Sequence, residues 1–432
     1  MTTAIIIGGG MAGVACASEL ADHDVNVTLF DRNDYTQFQP LLYQVASSLL
    51  PAEDIARPLA VVFDDLPTVT VKQSHVTSID FATREVVTGD GSLGAADHLV
   101  LAAGSQPNFF GVPGATEHSY PLYSVADAER LRLHLKERLQ AHCNPKPETA
   151  RGPLNIVLVG GGCTGVEMSG AIGQLFQLLR KEDRLTDEAT VHLVDHGKAL
   201  LGPFSDKSHE YALRKVTEFG VQVSFGVAVT EVGTDSVTLS DGTTLPTTTV
   251  IWCGGESASA VADSAGAKPG RGGRIDVAPD LSVPGFDNVW AVGDVANIPG
   301  PDERSLPQLG SVAQQSGRWL GHNIRRTIDG EPTKPFHYKD KGIMAMIGRN
   351  AAVAEVGPHR HQVEGPIAFA AWLGLHAILL SGLHSEVDAL LNWADDYFHH
   401  DRAPDLELEG TPTRIVWSDN DADRPVLKPH AP

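Results

Sequence analysis

Cysteine is scarce in this 432-residue chain: Cys16, Cys143, Cys163 and Cys253 are scattered, with no CxxC pair and no metal-ligand cluster. That excludes a dithiol motif, leaves no metal to expect and fits a reducing compartment. Positive charge is also short, with 33 Lys and Arg against 54 Asp and Glu for a net charge of −21. Such a surface repels phosphate backbones, so nucleic acid is excluded as a partner. The start, MTTAIIIGGG, has no basic n-region and only a brief apolar run, so no signal peptide is expected and the chain reads as cytoplasmic. One stretch, Gly365 to Leu383, lacks Lys, Arg, Asp and Glu and is long enough to raise the question of a membrane span.

What the chain does have is glycine at telling positions. Hydrophobic residues at 42% and charged residues at 20% describe a globular protein whose length calls for two or three domains. Ala4 to Ile7 reads as a buried parallel strand, GGGMAG places Gly8, Gly10 and Gly13 in GxGxxG spacing, and VACASEL continues as a helix. Gly8 permits the tight turn, Gly10 the approach of a pyrophosphate, and Gly13 close packing of helix on strand. The helix N-terminus adds unpaired N–H groups and a positive dipole end. A second strand, VNVTLFD, ends at Asp31, whose carboxylate can accept hydrogen bonds from two ribose hydroxyls. A glycine turn alone occurs in many α/β proteins, but strand, helix, strand and terminal acid in this order point to a dinucleotide.

The design returns 152 positions later, with a strand at Ile156 to Val159 and then Gly160, Gly162 and Gly165. The following strand, TVHLVD, ends at Asp195, thirty positions past Gly165, because the helix is extended and a charged loop, RKEDRLTDE, is inserted. An acid there favours a free 2′-hydroxyl, so NADH is expected over NADPH, with His196 as a discordant neighbour. Two such motifs imply two dinucleotides, and a flavin on one can take a hydride from a nicotinamide on the other. Glu167, on the first turn of the second helix, is expected to face the cofactor cleft; simple complementarity to the helix dipole, worth roughly 0.3–1 kcal/mol, is the alternative. Cys163 and Cys253 read as small hydrophobes without chemistry.

NVWAVGDVA, Asn288 to Ala296, resembles the distal FAD motif of the two-dinucleotide-domain flavoproteins, and DHLVLAAGSQP, Asp97 to Pro107, resembles their linking strand end. The disulfide reductases of that group, and its coenzyme A-type peroxide reductases and oxidases, need cysteine where this chain reads FQPLLYQVASSLL. Instead YTQFQPLLYQVASSLL, GGGCTGVEMSG, VIWCGG, FHYKDKGIMAMIGRNAAVAEV and AWLGLHAILLSG resemble the type II NADH dehydrogenases, the single-subunit NADH:quinone oxidoreductases, up to about residue 400.

That resemblance implies FAD on the first motif, with Met11, Ala12 and Arg32 joining Gly8, Gly10, Gly13 and Asp31. It puts Phe38, Gln39, Pro40 and Leu41 against the isoalloxazine and adds Val76, Ala103 and Gly104, with Gly293 and Asp294 at the ribityl chain and Gly310 and Ser311 at the ring. NADH would meet Gly160, Gly162, Thr164, Gly165, Val166, Glu167, Asp195, Gly254 and Gly255. The family's Ala-Gln-x-Ala-x-Gln quinone pattern falls on LPQLGSVAQQSGRW, where Gln315 is kept and Ser311 replaces the first glutamine, so a wider acceptor pocket is expected. Gln314, Gln315 and His376 form the expected acceptor set, with Glu167 and Gln315 catalytic; for His376 a satisfied core histidine is the plainer reading.

The expected fold is α/β: two Rossmann-like domains, FAD at 1–118 and 265–330 and NADH inserted at 119–264, then a small α+β domain at 331–432. In the last, a short antiparallel sheet should precede two packed helices, the second with Val387, Leu390, Leu391, Ala394 and Tyr397 on one face. The family places this region at a membrane surface, which implies a homodimer peripheral to the inner face of the cell membrane. The tail TRIVWSDNDADRPVLKPHAP lacks the basic amphipathic helix for anionic lipid, so a soluble dimer burying the same apolar face is the competing expectation. The expected activity is hydride transfer from NADH to flavin and two electrons onward to a quinone. The alternatives are a soluble NADH-dependent flavoenzyme reducing a small quinone or aromatic metabolite, and a non-enzymatic NADH-sensing flavoprotein. A ferredoxin-type reductase would want a basic docking face.

Overall fold

A computed structural model describes residues 2–23, 25–91, 93–143, 154–301, 304–357 and 359–380. The described residues fall into two compact units. One takes Met1–Phe38, Ala56–Gln106 and Glu256–Lys339; the other takes Gln39–Ile55, Pro107–Gly255 and the chain from Asp340.

The first unit is built on a five-stranded parallel sheet in the spatial order Val289–Ala291, His98–Leu101, Thr3–Ile7, Asn26–Asp31, Val69–Gln73. The central strand, TAIII, is buried along both faces, as a continuous β-branched run predicts. Helix Met11–Ala21 follows it and packs on helix Gly310–Ile328. Glycine makes that packing close, since a Cβ on Gly317 would overlap the Ala12 carbonyl oxygen and one on Gly321 would lie 2.6 Å from Glu19 Cβ.

The second unit repeats the sheet: Tyr120–Pro121, Thr249–Trp252, Asn155–Val159, Thr190–Asp195, Val221–Phe225, again all parallel. The register is the same as well. Ile7, just before the first glycine turn, pairs with Phe30 and Leu101, and Val159, just before the second, pairs with Val194 and Trp252. Helix Cys163–Lys181 is long, as its sequence predicts.

An antiparallel sheet of Gly342–Gly348, Ala351–Val356 and His361–Glu364 belongs to this unit, as does the helix Pro366–Leu379. That helix has 14 residues, about 21 Å of rise against the roughly 30 Å of a hydrocarbon core. Among the described residues no helix is long and apolar enough to cross a membrane. Its buried side is Ala368, Trp372 and Ala377, while Ile367, Leu375, Ile378 and Leu379 are exposed. The second helix expected from Val387 to Tyr397, and the acidic tail after it, lie outside the described residues.

Candidate functional site

Each sheet carries its glycine turn at the carboxyl end of the central strand. Gly8 has φ +109° and Gly160 φ +107°, a region closed to most side chains. A Cβ on Gly13 would overlap the Gly8 carbonyl oxygen, and one on Gly165 the Gly160 oxygen, so both helices start pressed onto their own turns. Gly10 and Gly162 face open space within 4 Å, the one place in each turn where a phosphate has room.

Both terminal acids are already organised. Asp31 accepts from Gly9 N at 2.6 Å and Asn33 N at 2.8 Å; Asp195 accepts from the amides of Gly161 and Gly197, each at 2.5 Å. Burial raises the Asp31 pKa above the usual carboxylate range, with the Asn33 and Gly9 amides opposing. His196 is exposed beside Asp195, 3.9 Å away.

In the first unit three motifs distant in sequence meet. A Cβ on Gly310 would lie 2.7 Å from Met11 Sδ, and one on Gly293 3.0 Å from Ala12 Cβ. Two helix N-termini therefore lie side by side next to the Gly293-Asp294 turn, a doubled positive dipole end suited to an anionic ligand. Asp294 Oδ1 is buried with no hydrogen-bond partner among the described residues. Burial pushes the Asp294 carboxyl up to about 7, with Glu256 adding to the rise and Arg274 and a hydrogen bond from Ser105 opposing it. A buried acceptor left unpaired is costly, so this atom fits a ligand hydroxyl, and the first unit fits FAD. Ala103 and Gly104 follow the strand beside the turn, a Cβ on Gly8 overlapping the Ala102 oxygen, and Arg32 is exposed past Asp31. Val76 is a buried strand residue.

The glutamine segment is the first turns of helix Gly310–Ile328. Ser311 Oγ lies 2.8 Å from the Tyr338 hydroxyl. Gln315 uses both ends of its amide on one residue, donating to the Lys339 carbonyl at 3.2 Å and accepting from Lys339 N at 3.0 Å. Gln314 is exposed. This helix thus holds the strap 338–339 with its polar side chains.

In the second unit the helix after the turn lies under the antiparallel sheet along one face, at spacings of three and four residues. Glu167 Oε1 accepts from Met346 N at 3.1 Å, Gly170 gives way to the Ile347 carbonyl, and Gln174 Oε1 accepts from Arg349 N at 2.9 Å. Burial pushes the Glu167 carboxyl up to about 8 against that single amide, so it is largely protonated at neutral pH. Tyr43 stands on the same methionine, donating to Met346 Sδ at 3.0 Å while accepting from Gln44 Nε2 at 2.9 Å. Thr164 and Val166 share the first turn of the helix, Val166 fully buried. Gly254 and Gly255 close strand Thr249–Trp252, and Cys253 between them and the strand has its thiol pushed up to about 12 by burial.

Of the residues expected at the flavin ring, Phe38 belongs to the first unit and Gln39, Pro40 and Leu41 to the second. Gln39 and Pro40 are exposed and Leu41 is buried. His376 donates from Nδ1 to the Trp372 carbonyl at 2.8 Å and stacks on the Trp372 ring at 3.8 Å. Burial brings its pKa down to about 4, so the imidazole is neutral at physiological pH, the condition of a core histidine.

Sequence reasoning did not single out Tyr43, Met346, Ser105, Glu256 or Arg274. Tyr43 sits inside a quoted motif, YTQFQPLLYQ, but nothing local marks its partner 303 positions away.

The pyridine nucleotide-disulphide oxidoreductase family model matches residues 2–317. The type II NADH:quinone oxidoreductase Ndh of Mycobacterium tuberculosis is 35% identical over 407 residues, 90% of this chain and 86% of that one. The type II NADH:quinone oxidoreductase of Staphylococcus saprophyticus is 27% identical over 363 residues, 82% and 89%. Among solved structures, NDH2 from Plasmodium falciparum in complex with NADH superposes with a TM-score of 0.85 at 16% identity, covering 92% of this chain and 98% of that one. The sulfide:quinone oxidoreductase of Aquifex aeolicus gives 0.71 at 21%, covering 93% and 96%. The two structures attest the α/β fold with its paired parallel sheets.

Proposed function

The chain belongs to the type II NADH:quinone oxidoreductases, and from that premise we propose that its first glycine turn holds FAD and its second holds NADH. It is an oxidoreductase that takes a hydride equivalent from NADH and delivers two electrons to a quinone. FAD, when bound, supplies the two-electron relay between NADH and the quinone.

The observation that carries the assignment is the buried Asp294 Oδ1, unpartnered among the described residues, which stands in the first unit beside the paired helix N-termini. There Gly8, Gly10, Met11, Ala12 and Gly13 would cradle the pyrophosphate, with Asp31 on the ribose and Arg32 outside it. Ala103, Gly104, Gly293 and Asp294 would hold the ribityl chain, with Val76 in support. The helix starting at Gly310 and Ser311 would set a positive dipole end toward the flavin ring. In the second unit Gly160, Gly162, Thr164, Gly165, Val166, Gly254 and Gly255 would bind the NADH backbone, and Asp195 its adenosine ribose. Glu167 would hold a proton next to the nicotinamide, and Gln315, with Gln314, would border the acceptor. The clamp of Gln315 on Lys339 makes it a positioning group for that border.

The exposed Ile367, Leu375, Ile378 and Leu379 support an apolar interface, read here as the surface of a homodimer, with peripheral attachment to the inner face of the cell membrane as the second reading. Sedimentation with and without lipid vesicles separates them. The function is tested by steady-state turnover with menadione: NADH should support it and NADPH should do so far more slowly. A flavin that stays reduced in the presence of every quinone would refute it in favour of a sensing protein.

A further inference from the structure

Phe110 is the exposed aromatic side chain of the described residues, 65% accessible, and its backbone is in the left-handed region at φ +53°. Its neighbour Phe109 is partly buried and packs against the core, 5.5 Å from the Trp252 ring. The turn that holds Phe110 out is well anchored. Asn108 N donates to the Gly255 carbonyl at 3.1 Å, Trp252 Nε1 donates to the Asn108 carbonyl at 2.9 Å, and Phe110 N donates to Asn108 Oδ1 at 2.8 Å. An aromatic residue at positive φ that buries little apolar surface does not serve the fold, and strain of this kind collects at ligand sites.

Its surroundings say which ligand. A Cβ on Gly255, itself at φ +119°, would lie 2.7 Å from Phe110 Cζ, and a Cβ on Gly160 would lie 2.9 Å from Gly254 Cα. The ring therefore rests on Gly255, next to the Gly254 that abuts the second glycine turn. In this sheet the strand ending at Asp195 lies on one side of that turn and the strand ending at Trp252 on the other. A dinucleotide with its pyrophosphate on the turn and its adenosine ribose on Asp195 extends its nicotinamide half toward Gly254 and Gly255.

We propose that Phe110 is a specificity-determining wall of the NADH site, packing its ring on the nicotinamide half of the bound nucleotide; this rests on the reading of the second turn as that site. The test is equilibrium binding of NAD⁺ and of ADP-ribose, which lacks the nicotinamide, to the holoenzyme and its variants. Phe110→Ala should weaken NAD⁺ roughly three- to tenfold, the range for one aromatic contact, and leave ADP-ribose and Tm unchanged. Phe110→Tyr should bind like the parent. Unchanged NAD⁺ affinity, equal weakening of both ligands, or weakening accompanied by a lower Tm would each overturn the proposal. Asp195→Ala should weaken both ligands; if it does not, the reading of the site itself fails, independently of Phe110.

Discussion

The two glycine turns share strand register, turn conformation and the clamp of a backbone amide on the terminal acid, yet where the first helix has Ala15 the second has Glu167. They also differ in what covers the helix. A second helix lies on the first turn's helix through Gly317 and Gly321, and the strand Gly342–Gly348 lies on the second's through Gly170. One arrangement gathers helix dipoles around an orphan acceptor; the other buries a protonated carboxyl under a sheet. The framework decides where a dinucleotide lies, and the side chains laid over it decide what each site can do.

The comparison breaks most sharply at the close-packed glycines. Gly165→Val should cut kcat/KM for NADH by more than about a hundredfold, the cost of misplacing a reactant by an ångström, while flavin stays bound. Gly13→Val should instead yield protein lacking FAD, read from its visible spectrum. Glu167→Ala comes next, with kcat for quinone reduction expected to fall by about a hundredfold, as for loss of a positioned proton carrier. Ala15 offers no counterpart, and its conservative variants should leave kcat alone. Asp195→Ala should narrow the NADH over NADPH preference by roughly ten- to a hundredfold, the range for hydrogen bonds to a charged group. Asp31→Ala should weaken FAD and leave that preference unchanged.

The smallest effect concerns stability. Glu167 titrates at about 8 in the folded chain, above its unfolded value, so the native state binds the extra proton and the stability it retains at low pH is lost as pH rises from about 4.5 to about 8. Glu167→Gln should therefore raise Tm above pH 8 by roughly 2–5 °C and matter little below pH 4. Thermal melts across that range check it.

Much of this was legible in the sequence because it is local. Strand, glycine turn, helix and terminal acid lie between Thr3 and Asp31 in one motif and between Asn155 and Asp195 in the other, so both dinucleotide motifs and the run before each could be placed without a partner. The small antiparallel sheet was equally readable from its alternation. What escaped is set by long-range packing. Glu167 has its unusual protonation because long-range packing buries it beneath a sheet, where Met346, 179 positions away, supplies the one amide that opposes the rise. The clamp of Gln315 on Lys339 has no local mark in the sequence, and Phe110 was one phenylalanine of a pair until its backbone angle and Gly255 set it apart.

The most direct test of the two-site account is anaerobic stopped-flow mixing of the FAD-loaded protein with NADH or NADPH, followed by a quinone. The account predicts that NADH bleaches the flavin, that NADPH does so far more slowly, that a quinone restores the colour, and that Gly165→Val abolishes only the bleaching. A flavin that NADH leaves oxidised, or that bleaches equally well in Gly165→Val, would contradict it.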